Sequence, residues 1–171
     1  MKRSQFFPLS IFGCRAGAVL LAWAFGLGLL AGSLASVGAR QILAEARQTL
    51  AQSAGISALV PTVLPLLVSG FAVYAGVPML LIPTAFWKAF SFSYAAMGVI
   101  QAWGSAGWLV CVLTMFGSFC DLPVLWWYWL RHIGGESFSG RTFLPALGVM
   151  ILISWADTAV ISPFLTKILI F

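Results

Sequence analysis

The chain is a succession of apolar runs about as long as a bilayer is thick, separated by stretches too short to fold on their own. The runs cover residues 16–35, 56–74, 78–101, 108–130 and 142–165. A spanning helix takes about 20 apolar residues, so five such runs use up most of the 171 residues. Composition agrees, with 61% hydrophobic and 8% charged residues, against about 45–50% and about 25% in a soluble domain. A soluble enzyme is excluded, and so is a disordered chain, which would lack apolar surface to bury. The expected fold is all-α: one polytopic integral membrane domain over residues 1–171, a helical bundle of about five transmembrane helices. Its direct partner is the lipid bilayer.

The turns between runs are readable. Ala75-Gly76-Val77-Pro78 separates the second and third, with Pro78 suited to the first turn of a helix. Gly104, Ser105 and Gly107 separate the third and fourth, and the polar loop 131–141 precedes the last. The first run contains Gly28-x-x-x-Gly32, a spacing that lets a neighbouring helix approach closely. It is longer than the apolar core of a signal peptide, so a retained first helix is expected. A four-span chain cleaved after Ala31-Gly32-Ser33-Leu34-Ala35 is the rival. Residues 37–55 change character. Arg40, Glu45 and Arg47 appear among Ile42, Leu43, Ala46 and Leu50, whose three- and four-residue spacing fits an amphipathic helix on the extracytoplasmic side. A solvated helical connector fits the same pattern. Arg40, Glu45 and Arg47 are the partner-binding candidates.

Charge sets the orientation. The net charge of +5 is spread thinly, with no basic run of the kind that marks a nucleic-acid partner. With the N-terminus cytoplasmic, Lys2, Arg3, Arg15, Arg131 and Arg141 fall inside, while Arg40, Arg47 and Lys167 fall outside. That is the positive-inside bias, and for five spans it leaves the C-terminus outside.

Catalytic and cofactor apparatus is sparse. The chain has one histidine, and it carries no metalloprotease or serine-hydrolase motif, nor cysteines at zinc-ligand spacing. His132, beside Arg131, reads as a headgroup-level residue. Gly26, Gly28 and Ala31 fit a loose dinucleotide fingerprint with no strand before it, so no cofactor is expected. The chain is read as a non-enzyme.

Three charges lie inside apolar runs: Lys88, Asp121 and Asp157. Each is costly in hydrocarbon and should face the bundle and find a partner. At ~1.5 Å per residue, Lys88 lies about 15 Å from the inner side and Asp121 about 14 Å, so the two could meet. Asp157 lies about 22 Å in, nearer the outer leaflet. The trio reads either as ion pairing that fixes helix register or as a polar pathway. Asp121-Leu122-Pro123 interrupts the fourth run. A helix break at Gly117-Ser118, with Asp121 accepting bonds from the exposed N–H groups of the new segment, is expected there. Such a break at membrane depth needs protein or water around it. Lys88, Gly117, Ser118, Asp121, Pro123 and Asp157 are therefore the candidate site residues.

These features together resemble the stage II sporulation protein M family. The shared elements are a Gly-rich first span, a charged outer segment, a Gly-Val-Pro turn and an acidic-Leu-Pro interruption of the fourth span. Here that stretch reads Met115-Phe116-Gly117-Ser118-Phe119-Cys120-Asp121-Leu122-Pro123. Phe116 and Gly117 stand where the family often has Pro-His, so no role of that histidine carries over. The last run, Asp157-Thr158-Ala159-Val160-Ile161-Ser162-Pro163, is also similar. The resemblance implies a five-span bacterial plasma-membrane scaffold. In that family the scaffold positions peptidoglycan hydrolases, a lytic transglycosylase and an amidase/endopeptidase, during forespore engulfment. The alternative is the membrane component of a small-molecule or ABC-type transporter with a polar intramembrane site.

Overall fold

Helices stop where the sequence places its glycines and polar punctuation. The computed structural model describes residues 14–37, 56–104, 107–134 and 136–161, and every regular element among them is helical. α1 spans Cys14–Val37, α2 Ile56–Tyr74 and α3 Leu81–Trp103, with a single 3-10 turn at Pro78–Leu80 leading into α3. α4 is Gly107–Thr114, α5 Phe116–Ile133 and α6 Gly140–Ala156, which runs on into a π-helical turn at Asp157–Ile161. The amphipathic segment with Arg40, Glu45 and Arg47 lies outside the described residues, as do Lys2, Arg3 and Lys167.

Two turns rest on glycine in the left-handed region. Gly76 (φ 75°) closes α2 and Gly104 (φ 58°) closes α3, conformations that cost a residue with a Cβ but not glycine.

Side-chain pairs fix the helix directions. Gly28 lies against Phe86 and Ala89, and Gly32 against Phe90 and Ser93, so α1 and α3 run parallel. Lys88 meets Asp121, and Phe92 packs on Phe119 at 5.0 Å, so α3 and α5 are antiparallel. Gly117 meets Asp157, and Tyr128 packs on Phe143, so α5 and α6 are antiparallel too. Gly70 against Phe143 and Tyr74 against Phe138 make α2 antiparallel to α6. Direction therefore alternates through α1, α2, α3, α5 and α6, with the short α4 between α3 and α5.

The most extensive packing joins α1 to α3. At Gly28 a Cβ would collide with the backbone carbonyl of Phe86, and at Gly32 with that of Phe90. The Gly-x-x-x-Gly expectation is met by this approach, which brings one helix backbone onto another. The apolar core gathers Leu21, Leu66, Leu81, Leu125, Trp129 and Met150 from five helices.

Polarity is inverted relative to a soluble domain. Ser36, Ser69, Lys88, Ser93, Asp121, His132 and Ser154 are buried, whereas Val19, Trp23, Leu27, Leu30 and Leu34 form an exposed apolar stripe along α1. Large apolar faces of this kind need a non-aqueous neighbour. Among the described residues, two helical stretches, Ala16–Val37 and Gly140–Val160, are long and apolar enough to cross a membrane, and the bent pair α4–α5 makes a third if it is one span.

Candidate functional site

The three charges in apolar runs converge on one region, between α3, the α4–α5 break and the end of α6. Lys88 and Asp121 form the ion pair that depth-counting anticipates. Lys88 Nζ donates to Asp121 Oδ2 at 2.7 Å, with side-chain exposures of 9% and 0%. In a low-dielectric surround each charge is tolerable only because of the other. Asp121 Oδ1 is fully buried and has no hydrogen-bond partner.

The break lies two residues before the expected position. α4 ends at Thr114, and Met115 takes φ −109° and ψ 16° before α5 starts at Phe116. The two pieces are bent by 60°. Asp121 and Pro123 are not at the break but inside α5. Pro123 lacks an N–H and leaves the carbonyl of Phe119 without its helical partner, yet the helix continues through it. Gly117 is buried in the first turn of α5, and Ser118 beside it is half-buried.

The cap also comes from a different residue than expected. The N–H groups at the start of α5 have no preceding helical turn to serve them. Asp157, from the last helix, is the acid that reaches this turn: its carboxylate lies against Gly117. A Cβ on residue 117 would lie 3.0 Å from Asp157 Oδ2, so glycine is what admits the carboxylate. Asp121 cannot fill that role because its side chain is committed to Lys88. Asp157 also sits at the first residue of the π-helical turn, where its own N–H is shared between the carbonyls of Ile153 and Ser154. Single π turns mark places where a helix is re-aimed for a side chain. Ser154, three residues earlier on the same face, lies at the level of Asp121 by the α5–α6 register. Its hydroxyl is buried and unpartnered.

A second polar group lies at the other end of α5 and was not anticipated. His132 is 1% exposed, turned into the bundle. Its Nδ1 lies 3.0 Å from the Glu136 carbonyl, and its ring is 4.3 Å from that of Tyr128. Tyr128 Oη and His132 Nε2 are both buried without partners. Between the two groups, Trp129 Nε1 donates to Ser69 Oγ at 2.7 Å, and Ser69 in turn donates to the Pro65 carbonyl at 2.6 Å. The spacing Asp121, Leu125, Tyr128, His132 puts all four on one helical face, a signal present in the sequence.

No family model, curated protein or solved structure matches the chain. Its chemistry therefore rests on the arrangement itself. A cation bridges two helices, and a carboxylate from a third caps a broken helix. Among the described residues, no three His, Cys, Asp or Glu side chains come together as a metal site requires.

Proposed function

We propose that the protein is a non-enzymatic, multi-pass scaffold of the bacterial plasma membrane, with a cytoplasmic N-terminus and an extracytoplasmic C-terminus. The observation that carries this reading is the use made of the intramembrane charges. Lys88 and Asp121 tie α3 to α5, and Asp157 ties α6 to the start of α5. All three intramembrane charges are thereby engaged between helices, as a rigid anchor requires.

Five spans, counting α4–α5 as one bent span, are supported by the alternating helix directions. The orientation is supported by Arg131 and Arg141, which lie at the end of the bundle where α1 begins. The partners proposed are peptidoglycan hydrolases, met on the outer face by the 37–55 segment, with engulfment of a forespore as the setting. That part rests on the sequence resemblance alone. Replacing Arg40, Glu45 and Arg47 together should abolish recovery of a wall hydrolase from detergent-solubilised native membranes, while the protein stays inserted. Unchanged recovery would refute the scaffold reading.

One observation favours a second reading, a transporter component: Asp121 Oδ1 is an unpaired carboxylate oxygen buried inside α5. Reconstituted protein should then show flux that depends on Asp121. Wild-type flux in Asp121→Asn would remove that alternative.

A further inference from the structure

The cluster at the α4–α5 break does not balance its charge. One ammonium, Lys88, faces two carboxylates, Asp121 and Asp157, so with all three ionised the cluster carries one excess negative charge. Among the described residues, no other charged group closes the gap. Between residues 16 and 37, α1 carries nothing titratable, and α2 carries only Tyr74 at its far end. α3 adds Tyr94 and α4 adds Cys111. On α5 the remaining titratable groups are Cys120 beside Asp121 and then Tyr128, Arg131 and His132 toward the opposite end, where Arg141 of α6 also lies. The first turn of α5 offers Asp157 roughly half a unit of positive charge through its free N–H groups. That is too little for a whole charge, and the carboxyl end of α4 abuts the same break and offsets it.

We infer that Asp121 and Asp157 together form a proton-binding site, which holds one proton at neutral pH. Asp121, 2.7 Å from the Lys88 ammonium, is the ionised member. Asp157 carries the proton, and adding it to the Asp157 carboxylate takes the cluster from a net negative charge to neutrality. A protonated carboxyl needs a hydrogen-bond acceptor, and an unsatisfied one stands nearby. Asp121 Oδ1 lies one helical turn along α5 from Gly117, the residue Asp157 touches, and it is fully buried without a partner. The two carboxyl groups are within electrostatic reach of each other.

An alkali cation would supply the same charge, but the site suits it poorly. Such an ion collects several oxygen ligands, whereas here two carboxylates stand beside a fixed ammonium. The inference rests on the helices crossing a membrane, not on the scaffold role, and holds equally for a transporter.

The chain has only four Asp and Glu residues, which makes carboxyl protonation countable by infrared spectroscopy. The full-length protein in lipid nanodiscs at neutral pH should show one protonated-carboxyl C=O band that shifts on exchange into D2O. Asp157→Asn should abolish it. Lys88→Met should double it, because two carboxyls then share no cation and both take protons. Absence of the band in the wild type would overturn the inference, as would its survival in Asp157→Asn. Loss of the band on adding sodium chloride, with choline chloride inert, would assign the site to an alkali cation instead. A Lys88→Met band of unchanged intensity would also overturn it, since charge balance would then not govern the site. Failure of the engulfment role leaves every one of these readings unaltered.

Discussion

The α1–α3 seam and the α3–α5–α6 cluster lie side by side on the same helix, α3, and hold it by opposite means. Along the seam, glycines at 28 and 32 remove side chains so that backbone meets backbone. At the cluster, charges reach across from separate helices, and the glycine at 117 clears space for a carboxylate. In hydrocarbon there is little hydrophobic drive between helices, so association rests on close packing and interhelical polar bonds. The seam uses the first and the cluster uses the second. Packing of the first kind is intolerant of added volume, and the second is intolerant of losing one partner. Substitutions should therefore separate them.

The largest effect should come from breaking the ion pair. Lys88→Met leaves Asp121 fully buried without its cation, and removing one member of a buried pair costs about 3–5 kcal/mol. Adding Asp121→Leu should recover most of that loss, because replacing both members of such a pair by apolar groups is often close to neutral. Unfolding in mixed micelles by titration with a denaturing detergent measures both. If the two single losses simply add in the double variant, the pair carries no coupling and the contrast with the seam collapses.

The seam should respond to a single methyl. Gly28→Ala drives a Cβ into the Phe86 carbonyl and onto the Ala89 side chain, and forced overpacking costs about 1–3 kcal/mol. Gly26, two residues earlier, has nothing within 4 Å of the same added atom. Gly26→Ala should be neutral or stabilise by up to about 1 kcal/mol through helix propensity. The same detergent titration reads this pair of variants. Equal losses at both positions would show that the α1–α3 approach is not close.

Which parts of this contrast were readable in the sequence follows from what a sequence measures. Counting rise along a helix gives depth, and depth brought Lys88 and Asp121 together. A four-residue spacing of glycines gives a flat face, and that flat face found its neighbour. Neither count gives the azimuth of one helix around another. The role of Asp157 depends on α6 lying beside the start of α5, whereas sequence proximity alone points to Asp121, the nearest acid. A glycine reads as a break, yet the side-chain-free surface of Gly117 serves Asp157 and the chain turns at Met115. The neighbour Arg131 speaks to the depth of His132, while its burial follows from the face it shares with Asp121, Leu125 and Tyr128.

A neutral polar contact should fall below both regions. Trp129, fully buried, donates to Ser69, which passes its own hydrogen to the Pro65 carbonyl. Ser69→Ala leaves the indole N–H without an acceptor. Interhelical hydrogen bonds in membranes contribute on average about 0.6 kcal/mol and at most about 1.7 kcal/mol, and the loss should lie within that range. Trp129 fluorescence in the folded state should shift as its N–H loses the hydroxyl, which ties any stability change to this bond.

The smallest effect should come from a second ion pair that differs from the first chiefly in where it lies. Arg131 Nε and Glu136 Oε2 pair across the turn after α5, with side-chain exposures of 41% and 51%, against 9% and 0% for Lys88 and Asp121. Exposed pairs contribute about 0–1 kcal/mol because water solvates each member once the other is removed, and salt screens the attraction. Arg131 also keeps a contact with the Trp127 ring at 5.6 Å that does not need the carboxylate. Glu136→Gln should therefore cost less than about 1 kcal/mol and become neutral in high salt. Asp121→Asn should cost several times more, with a salt dependence close to zero. Since both pairs join a basic side chain to a carboxylate, the ratio of the two losses measures the environment rather than the bond. A ratio near unity would mean that water reaches Asp121, and that the cluster is solvated like the turn.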